Sequence, residues 1–175
     1  GKGDEQDWDK AGRIEIGGAR GTMHNSSVIQ RLWYGVDHLN FYVRVDFKNG
    51  IVPGRDLPQE LNLLWFYPDR TMHNSPISIA DVPDIAPLNY HYHHHLEINL
   101  LTQSIQFQEA GEDYQWCPRC SRAQVAFNNC LEIAVPWADL QISPDYPLRL
   151  VLVLADEARF RDYLPENGLI PIEMP

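Results

Sequence analysis

The side chains most able to do chemistry are concentrated in one histidine- and tyrosine-rich run, residues 90–95 (YHYHHH). If this run is a β-strand, alternation places three histidines on one face: His91, His93 and His95. Glu97 would share that face, while Tyr92 and His94 would point the other way with Leu96. Imidazoles two residues apart on a strand lie roughly 7 Å apart at Cβ, which is close enough to chelate one Zn²⁺. The alternative is a polar face, or a groove in which His and Tyr donate hydrogen bonds.

A second candidate metal site lies in the Cys-Pro-Arg-Cys segment that follows Trp116. Its two thiolates, from Cys117 and Cys120, could share a structural Zn²⁺ with Cys130, and a fourth ligand such as a His would close the site. The alternatives are free buried thiols or a disulfide between Cys120 and Cys130. Three cysteines are too few for a disulfide scaffold, which favours a reducing compartment, and we expect a cytoplasmic protein.

Aromatic residues that alternate with polar ones suggest carbohydrate binding. A sugar ring presents apolar C–H patches, so an exposed flat aromatic flanked by polar side chains is the usual protein surface that binds it. The candidates for carbohydrate binding are Trp33, Asn40, Tyr42, Arg44, Trp65 and Trp116. For each aromatic residue taken singly, the alternative is burial in the core.

Catalytic motifs are missing from the sequence. It contains no Gly-x-Ser-x-Gly, no phosphate-binding glycine loop and no His-Glu-x-x-His. Glycoside hydrolysis needs two carboxylates across a cleft, and a chain with 24 acidic residues does not single out such a pair. We therefore expect a chain without catalytic residues of its own.

The elements that must position these residues are predicted to be strands. Residues 39–47 alternate cleanly between apolar and polar side chains, and residues 61–67 and 148–154 are apolar on both faces, as in central strands. Asn128 and Asn129 predict a hairpin turn, and residues 136–140 a single helical turn. The pattern predicts an all-β fold, an antiparallel immunoglobulin-like or jelly-roll-type β-sandwich, with residues 1–175 as one domain.

Composition narrows the set of partners. The chain has 14 basic and 24 acidic residues, a formal net charge of −10, and so lacks the basic surface that binds nucleic acid or an anionic membrane. No apolar run approaches the roughly 20 residues of a transmembrane helix. Neutral ligands such as sugars remain compatible with this charge. The start, Gly-Lys-Gly-Asp, lacks a Met and resembles the boundary of a fragment.

One pentapeptide, Thr-Met-His-Asn-Ser, occurs twice, at residues 22–26 and 71–75. The flanking residues do not match, so the repetition does not indicate duplicated domains. Each copy lies just outside a predicted strand, and two equivalent polar turns are the simplest interpretation.

Several segments together resemble a known module. Residues 18–24 (GARGTMH), 31–37 (RLWYGVD) and 39–47 (LNFYVRVDF) look like the Met-His and Tyr-Gly-x-Asp…Leu-Tyr-x-Arg-x-Asp pattern in the C-terminal β-sandwich of family 57 glycoside hydrolases. Residues 132–140 (EIAVPWADL) and 164–168 (LPENG) resemble segments shared with family 9-like carbohydrate-binding and DOMON-like sandwiches. The cysteine loop and the histidine run are not part of that pattern.

The resemblance implies a parent enzyme of the α-amylase and amylopullulanase group, with its catalytic residues in a separate upstream barrel. It implies α-glucan polysaccharide or oligosaccharide as the ligand, and relatives of the family 9-like modules often hold a structural Ca²⁺. The first hypothesis is therefore a carbohydrate-binding accessory domain. The alternatives are a structural domain that packs on the catalytic barrel or dimerises, and a metal site on the histidine strand.

Overall fold

The computed structural model describes residues 8–15, 28–48, 51, 55–68, 72–77, 90–143, 145–156, 159–165 and 168–172. The strands in chain order are β1 (Gly12–Glu15), β2 (Ile29–Val36), β3 (Asn40–Phe47), β4 (Glu60–Phe66), β5 (His94–Asn99), β6 (Ile105–Ala110), β7 (Trp116–Arg119), β8 (Gln124–Phe127), β9 (Cys130–Pro136), β10 (Leu148–Asp156), β11 (Arg159–Leu164) and β12 (Ile170–Ile172). The one α-helical turn, α1, spans Trp137–Leu140 within these residues, and a 3-10 turn spans Glu112–Tyr114.

All the strand pairings of the described residues are antiparallel, and they form two sheets. The chain is therefore all-β, as predicted, and two antiparallel sheets are consistent with the predicted β-sandwich. The hairpin across Asn128 and Asn129 and the helical turn after Pro136 are confirmed. No helix within the described ranges has the length and apolar character that crossing a membrane requires.

Each sheet belongs to its own compact unit. Residues 1–57 and 122–144 form the first unit, which holds a sheet of order β1-β2-β3-β9-β8. Residues 58–121 and 145–175 form the second unit, with a sheet of order β11-β10-β4-β5-β6-β7, in which β12 also pairs with β10.

In the first unit, the clean alternation of β3 produces one apolar face. Phe41, Val43 and Val45 are fully buried, and they lie directly opposite three apolar residues of β9: Val135, Ile133 and Leu131. Each such side chain contributes about 1.5–3 kcal/mol through burial. The polar residues of β3 therefore all lie on the opposite face.

In the second unit, β4 and β10 are central and apolar on both faces. Leu63 and Leu64 are both fully buried on β4, as are Leu152 and Val151 opposite them on β10. The continuous apolar runs in the sequence correctly predicted these two central strands. Strand β5, which carries the end of the histidine run, pairs with β4 on one side and β6 on the other.

Candidate functional site

The six sequence-predicted sugar contacts divide between the two units. Four of them share the polar face of the first sheet, because Asn40, Tyr42 and Arg44 alternate along β3 and Trp33 of β2 lies directly opposite Arg44. Trp65 and Trp116 belong to the second sheet, on β4 and β7. Trp65 is fully buried and offers no surface on which a sugar could stack.

On the first sheet, Trp33 lies in a lattice of charged side chains. The guanidinium carbons of Arg13 and Arg31 lie over its ring, 5.3 and 5.2 Å from the centroid, and only 6% of the residue is exposed. Its Nε1 donates to Asp46 Oδ2 at 2.8 Å, and Arg44 Nε donates to Asp46 Oδ1 at 2.8 Å. The alternation correctly directs Trp33 away from the apolar stripe, but the two cations cover the ring that a sugar would need.

At the end of the same face, Tyr42 belongs to a small cluster centred on Asp37. Tyr42 Oη donates to Asp37 Oδ2 at 2.9 Å and accepts from Asn40 Nδ2 at 3.1 Å. Asp37 Oδ1 also accepts the backbone N–H groups of Leu39 and Asn40, both at 2.7 Å. Partial desolvation would raise the pKa of Asp37, but these hydrogen bonds hold it below its ordinary value. The polar groups of this cluster thus bind one another in the turn between β2 and β3.

Two of the cysteines, Cys117 and Cys120, belong to the second unit and Cys130 belongs to the first. Cys117 lies within the extended strand β7 and Cys120 just after it, so the Cys-x-x-Cys segment is not the tight turn expected of a zinc-binding knuckle. Cys130 begins β9 of the first unit, where it is buried, and burial raises the pKa of its thiol. All three thiols are free. In the described part of the chain, no group of three or more His, Cys, Asp or Glu side chains is arranged to hold a metal ion.

The three alternating histidines have separate partners. His91 is exposed, and its Nδ1 donates to Asn74 Oδ1 at 3.2 Å. His93 stacks on the Tyr67 ring at 5.0 Å and accepts the Tyr67 backbone N–H at its Nδ1, 3.2 Å away. His95 lies on the strand β5, where it is 6% exposed. The structure therefore does not bring these three imidazoles together as one chelating group.

Alternation holds from His94 onwards but fails at Tyr92. His94 shares the apolar face with Leu96, as predicted, and stacks on Phe107 with 5.4 Å between ring centroids. Tyr92 instead packs with Leu64, which lies directly opposite His95, so the prediction that Tyr92 joins Leu96 is wrong. The reason is an isolated bridge between Tyr92 and Ser75, which pairs Tyr92 with another segment before the β5 ladder begins.

The second sheet carries a group of polar side chains beside the buried Leu64 and Tyr92, and we call this group the His95 face. Cross-strand register places His95 beside Gln108 of β6, and Glu97 between Asn62 of β4 and Gln106 of β6. Trp116 of the edge strand β7 completes the set, with its ring centroid 5.4 Å from that of His95. The His95 face thus consists of Asn62, His95, Glu97, Gln106, Gln108 and Trp116.

His95 is held by two side-chain amides at the floor of this face. Its Nε2 lies 2.7 Å from Asn62 Oδ1, and the Asn62 Nδ2 donates to the Val153 carbonyl at 3.5 Å. The other nitrogen, Nδ1, is 3.0 Å from the Gln108 amide at Oε1. Both ring nitrogens therefore lie within hydrogen-bond distance of a side-chain amide.

Burial fixes the charge state of the site. Desolvation lowers the pKa of His95 to about 4, although the Gln108 hydrogen bond opposes the shift. The ring is therefore neutral near pH 7. The pKa of Glu97 is raised by burial and by the nearby carboxylate of Glu60. Near pH 7 the imidazole at the floor of the face is thus polar but uncharged.

Exposure increases from the floor towards the edge of the sheet. Asn62 is buried, Gln108 and Trp116 are half-buried, and Gln106 is exposed. Trp116 Nε1 donates to the Pro76 carbonyl at 2.9 Å, which fixes the indole on its edge strand. The accessible part of the face, Gln106, Gln108 and Trp116, therefore combines an aromatic side chain with amides, a combination suited to a neutral polar ligand.

Of the residues in the His95 face, only Trp116 was predicted from the sequence as a sugar contact. His95 was predicted from the sequence as a metal ligand. Asn62, Gln106 and Gln108 escaped prediction because they gain significance only through the register of β4, β5 and β6. The weak signal available is the spacing of Gln106 and Gln108, two residues apart beside Phe107, which is the period of a half-buried strand.

Comparison of the chain with known protein families, with curated proteins and with solved structures finds no match.

Proposed function

We propose that the chain is a non-catalytic carbohydrate-binding accessory domain, and that it binds neutral sugar at the His95 face. The observation that carries this proposal is the contact between the Trp116 indole and the neutral His95 ring, which two amides hold in place. An aromatic plane next to fixed polar groups matches the two surfaces of a pyranose, its C–H patch and its hydroxyls.

The neutral His95 ring and the amides around it favour a sugar over a charged ligand. Each sugar hydroxyl both donates and accepts, and so does each amide or neutral imidazole. Gln106 and Gln108 lie on the same face of β6, and the side-chain amide of each can both donate and accept a hydrogen bond. The net charge of −10 opposes binding of polyanions by the chain as a whole.

The sugar class follows from the sequence resemblance to the C-terminal sandwich of family 57 glycoside hydrolases. We propose α-glucan as the ligand and an α-glucan-active hydrolase, with its catalytic barrel upstream, as the parent protein. In this arrangement the domain holds polysaccharide near a catalytic site carried elsewhere in the parent chain.

The test is isothermal titration calorimetry of the chain with maltotriose, supported by affinity electrophoresis in gels that contain starch or glycogen. Trp116→Ala should weaken maltotriose binding by about tenfold, because it removes the stacking surface. Gln108→Ala should weaken binding by a similar factor, because it frees the His95 ring and removes one amide. Circular dichroism of each variant shows whether the fold persists.

Tyr42→Ala is the matched control, since it removes an aromatic from the first sheet instead of the second. Binding that is lost in Tyr42→Ala and retained in Trp116→Ala would assign the site to the polar face of the first sheet. Failure of the unmodified chain to bind maltotriose, starch and glycogen would refute the carbohydrate-binding proposal. The structural alternative, a domain that packs on the barrel or dimerises, would then be favoured.

A further inference from the structure

The most unusual local feature outside the His95 face is the tip of the connection between β6 and β7. Tyr114 is 65% exposed, the highest exposure of any large hydrophobic residue in the described ranges. Its backbone φ is +57°, and that of the preceding Asp113 is also +57°. Two consecutive residues with side chains thus occupy the left-handed region, which strongly favours glycine.

This strain is not offset by burial of the Tyr114 ring. A left-handed residue other than glycine persists only where surrounding contacts over-determine it, and such residues concentrate at binding sites. An aromatic ring that is two-thirds exposed gains little from removal of apolar surface from water. The conformation presents the ring to solvent, which is the arrangement required of a surface that stacks on a ligand.

Polar groups that suit a sugar lie beside this ring. The His91 and Tyr114 rings form an edge-to-face pair, with 5.2 Å between centroids and 73° between planes. His91 in turn donates to Asn74 Oδ1 at 3.2 Å. The neighbouring Ser75 is fixed by two backbone hydrogen bonds to Tyr92, of 2.7 and 2.8 Å. The rim of this surface is therefore anchored to the sheet.

The segment 74–76 links Tyr114 to the His95 face. Asn74 contacts the histidine that supports Tyr114, and Pro76, two residues on, accepts the Trp116 indole N–H. Gln115, between the two aromatics, has extended φ and ψ of −101° and 149°. Residues two apart in extended chain are separated by roughly 7 Å at Cα, a spacing comparable with that of neighbouring rings in an oligosaccharide.

We infer that Tyr114, with His91 and Asn74 at its rim, is a second stacking subsite that extends the His95 face and binds a further ring of the same neutral oligosaccharide. This inference rests on the proposed function, since it takes the Trp116 subsite as its starting point. It makes the ligand a glucan chain of two or more rings in preference to a single sugar.

The experiment compares glucose with maltoheptaose by isothermal titration calorimetry on the chain. The unmodified chain should bind maltoheptaose more tightly than glucose. Tyr114→Ala should lower the affinity for maltoheptaose by about tenfold and leave that for glucose unchanged, since a single ring fills only the Trp116 subsite. Trp116→Ala should weaken both ligands.

Two glycine variants separate a binding role from a structural one. Tyr114→Gly relieves the backbone strain, so its Tm should equal or exceed that of the unmodified chain while its maltoheptaose affinity falls as in Tyr114→Ala. Asp113→Gly is the matched control: it relieves the neighbouring strain, keeps the ring, and should leave both affinities unchanged.

Unchanged maltoheptaose affinity in Tyr114→Ala, with loss of both sugars in Trp116→Ala, would overturn the second subsite and leave the proposed function standing. A marked fall in the Tm of Tyr114→Gly would likewise overturn it, because the ring would then serve the fold. If the unmodified chain binds neither sugar, the proposed function and this inference fail together.

Discussion

The buried imidazole of His95 makes the stability of this protein depend on pH in a calculable way. Its pKa is about 4 in the folded chain and would return to its ordinary value of 6.5 on unfolding. Between these two values the unfolded chain binds a proton that the folded chain does not, so lowering the pH favours unfolding. The contribution is fully present above pH 6.5 and is lost progressively as the pH falls towards 4.

The size of this effect follows from the two pKa values. Lowering the pH from 7 to 5 should reduce the free energy of unfolding by about 2 kcal/mol through His95 alone, and the loss should reach about 3 kcal/mol near pH 4. Replacement by a side chain that does not titrate, His95→Gln, should remove this component. Urea unfolding at pH 7, 6 and 5 would then show a shallower pH dependence in the variant than in the unmodified chain.

Two features keep this experiment specific. Glu97, on the same face, has a raised pKa of its own, but it titrates in both proteins and largely cancels in the difference between them. Leu131→Ala serves as the control, since Leu131 is fully buried on β9, which belongs to the other sheet from His95. It should lower stability by about 2–5 kcal/mol at every pH and leave the slope unchanged. Equal slopes in His95→Gln and the unmodified chain would show that His95 is not buried as a neutral ring.

The first sheet yields two further predictions, both measured by urea unfolding at pH 7. Asp46→Asn should lower the free energy of unfolding by about 2–3 kcal/mol, because it removes the charge of the group that accepts hydrogen bonds from Trp33 and Arg44. A decrease below about 0.5 kcal/mol would show that these hydrogen bonds contribute little to stability. Gly12→Ala should cost about 1–2 kcal/mol, because an added Cβ would clash with the Tyr34 ring. Combination with Tyr34→Ala should recover most of that loss, and strictly additive effects of the two changes would contradict the proposed clash.

The alternation of side chains determined much of the fold without tertiary information. In β3 it separated the buried Phe41, Val43 and Val45 from the polar residues Asn40 and Tyr42, because a pleated strand must direct successive side chains to opposite faces. The same reasoning identified β4 and β10 as central strands, since a strand covered on both sides has no polar face. Local turn chemistry likewise located the hairpin between β8 and β9.

Alternation could not predict how much of each outward-facing side chain is covered by other residues, or which residues cover it. Trp33 does lie on the outward face, yet two arginines, from β1 and from its own strand, cover its ring. Tyr92 left its predicted face because it pairs with Ser75, 17 residues earlier in the chain. Contacts of this kind depend on long-range pairing, which a period of two within one segment does not encode.

The candidate site shows the same division. The sequence by itself determined the residue types, a run of histidines with aromatic neighbours in a chain of net charge −10, and these indicated either a metal or a sugar. Only the tertiary structure decided that His95 lies between the amides of Asn62 and Gln108, drawn from strands on either side of β5. The physical reason is that the charge state of an imidazole depends on its burial and its hydrogen-bond partners, and both are created by the register of neighbouring strands.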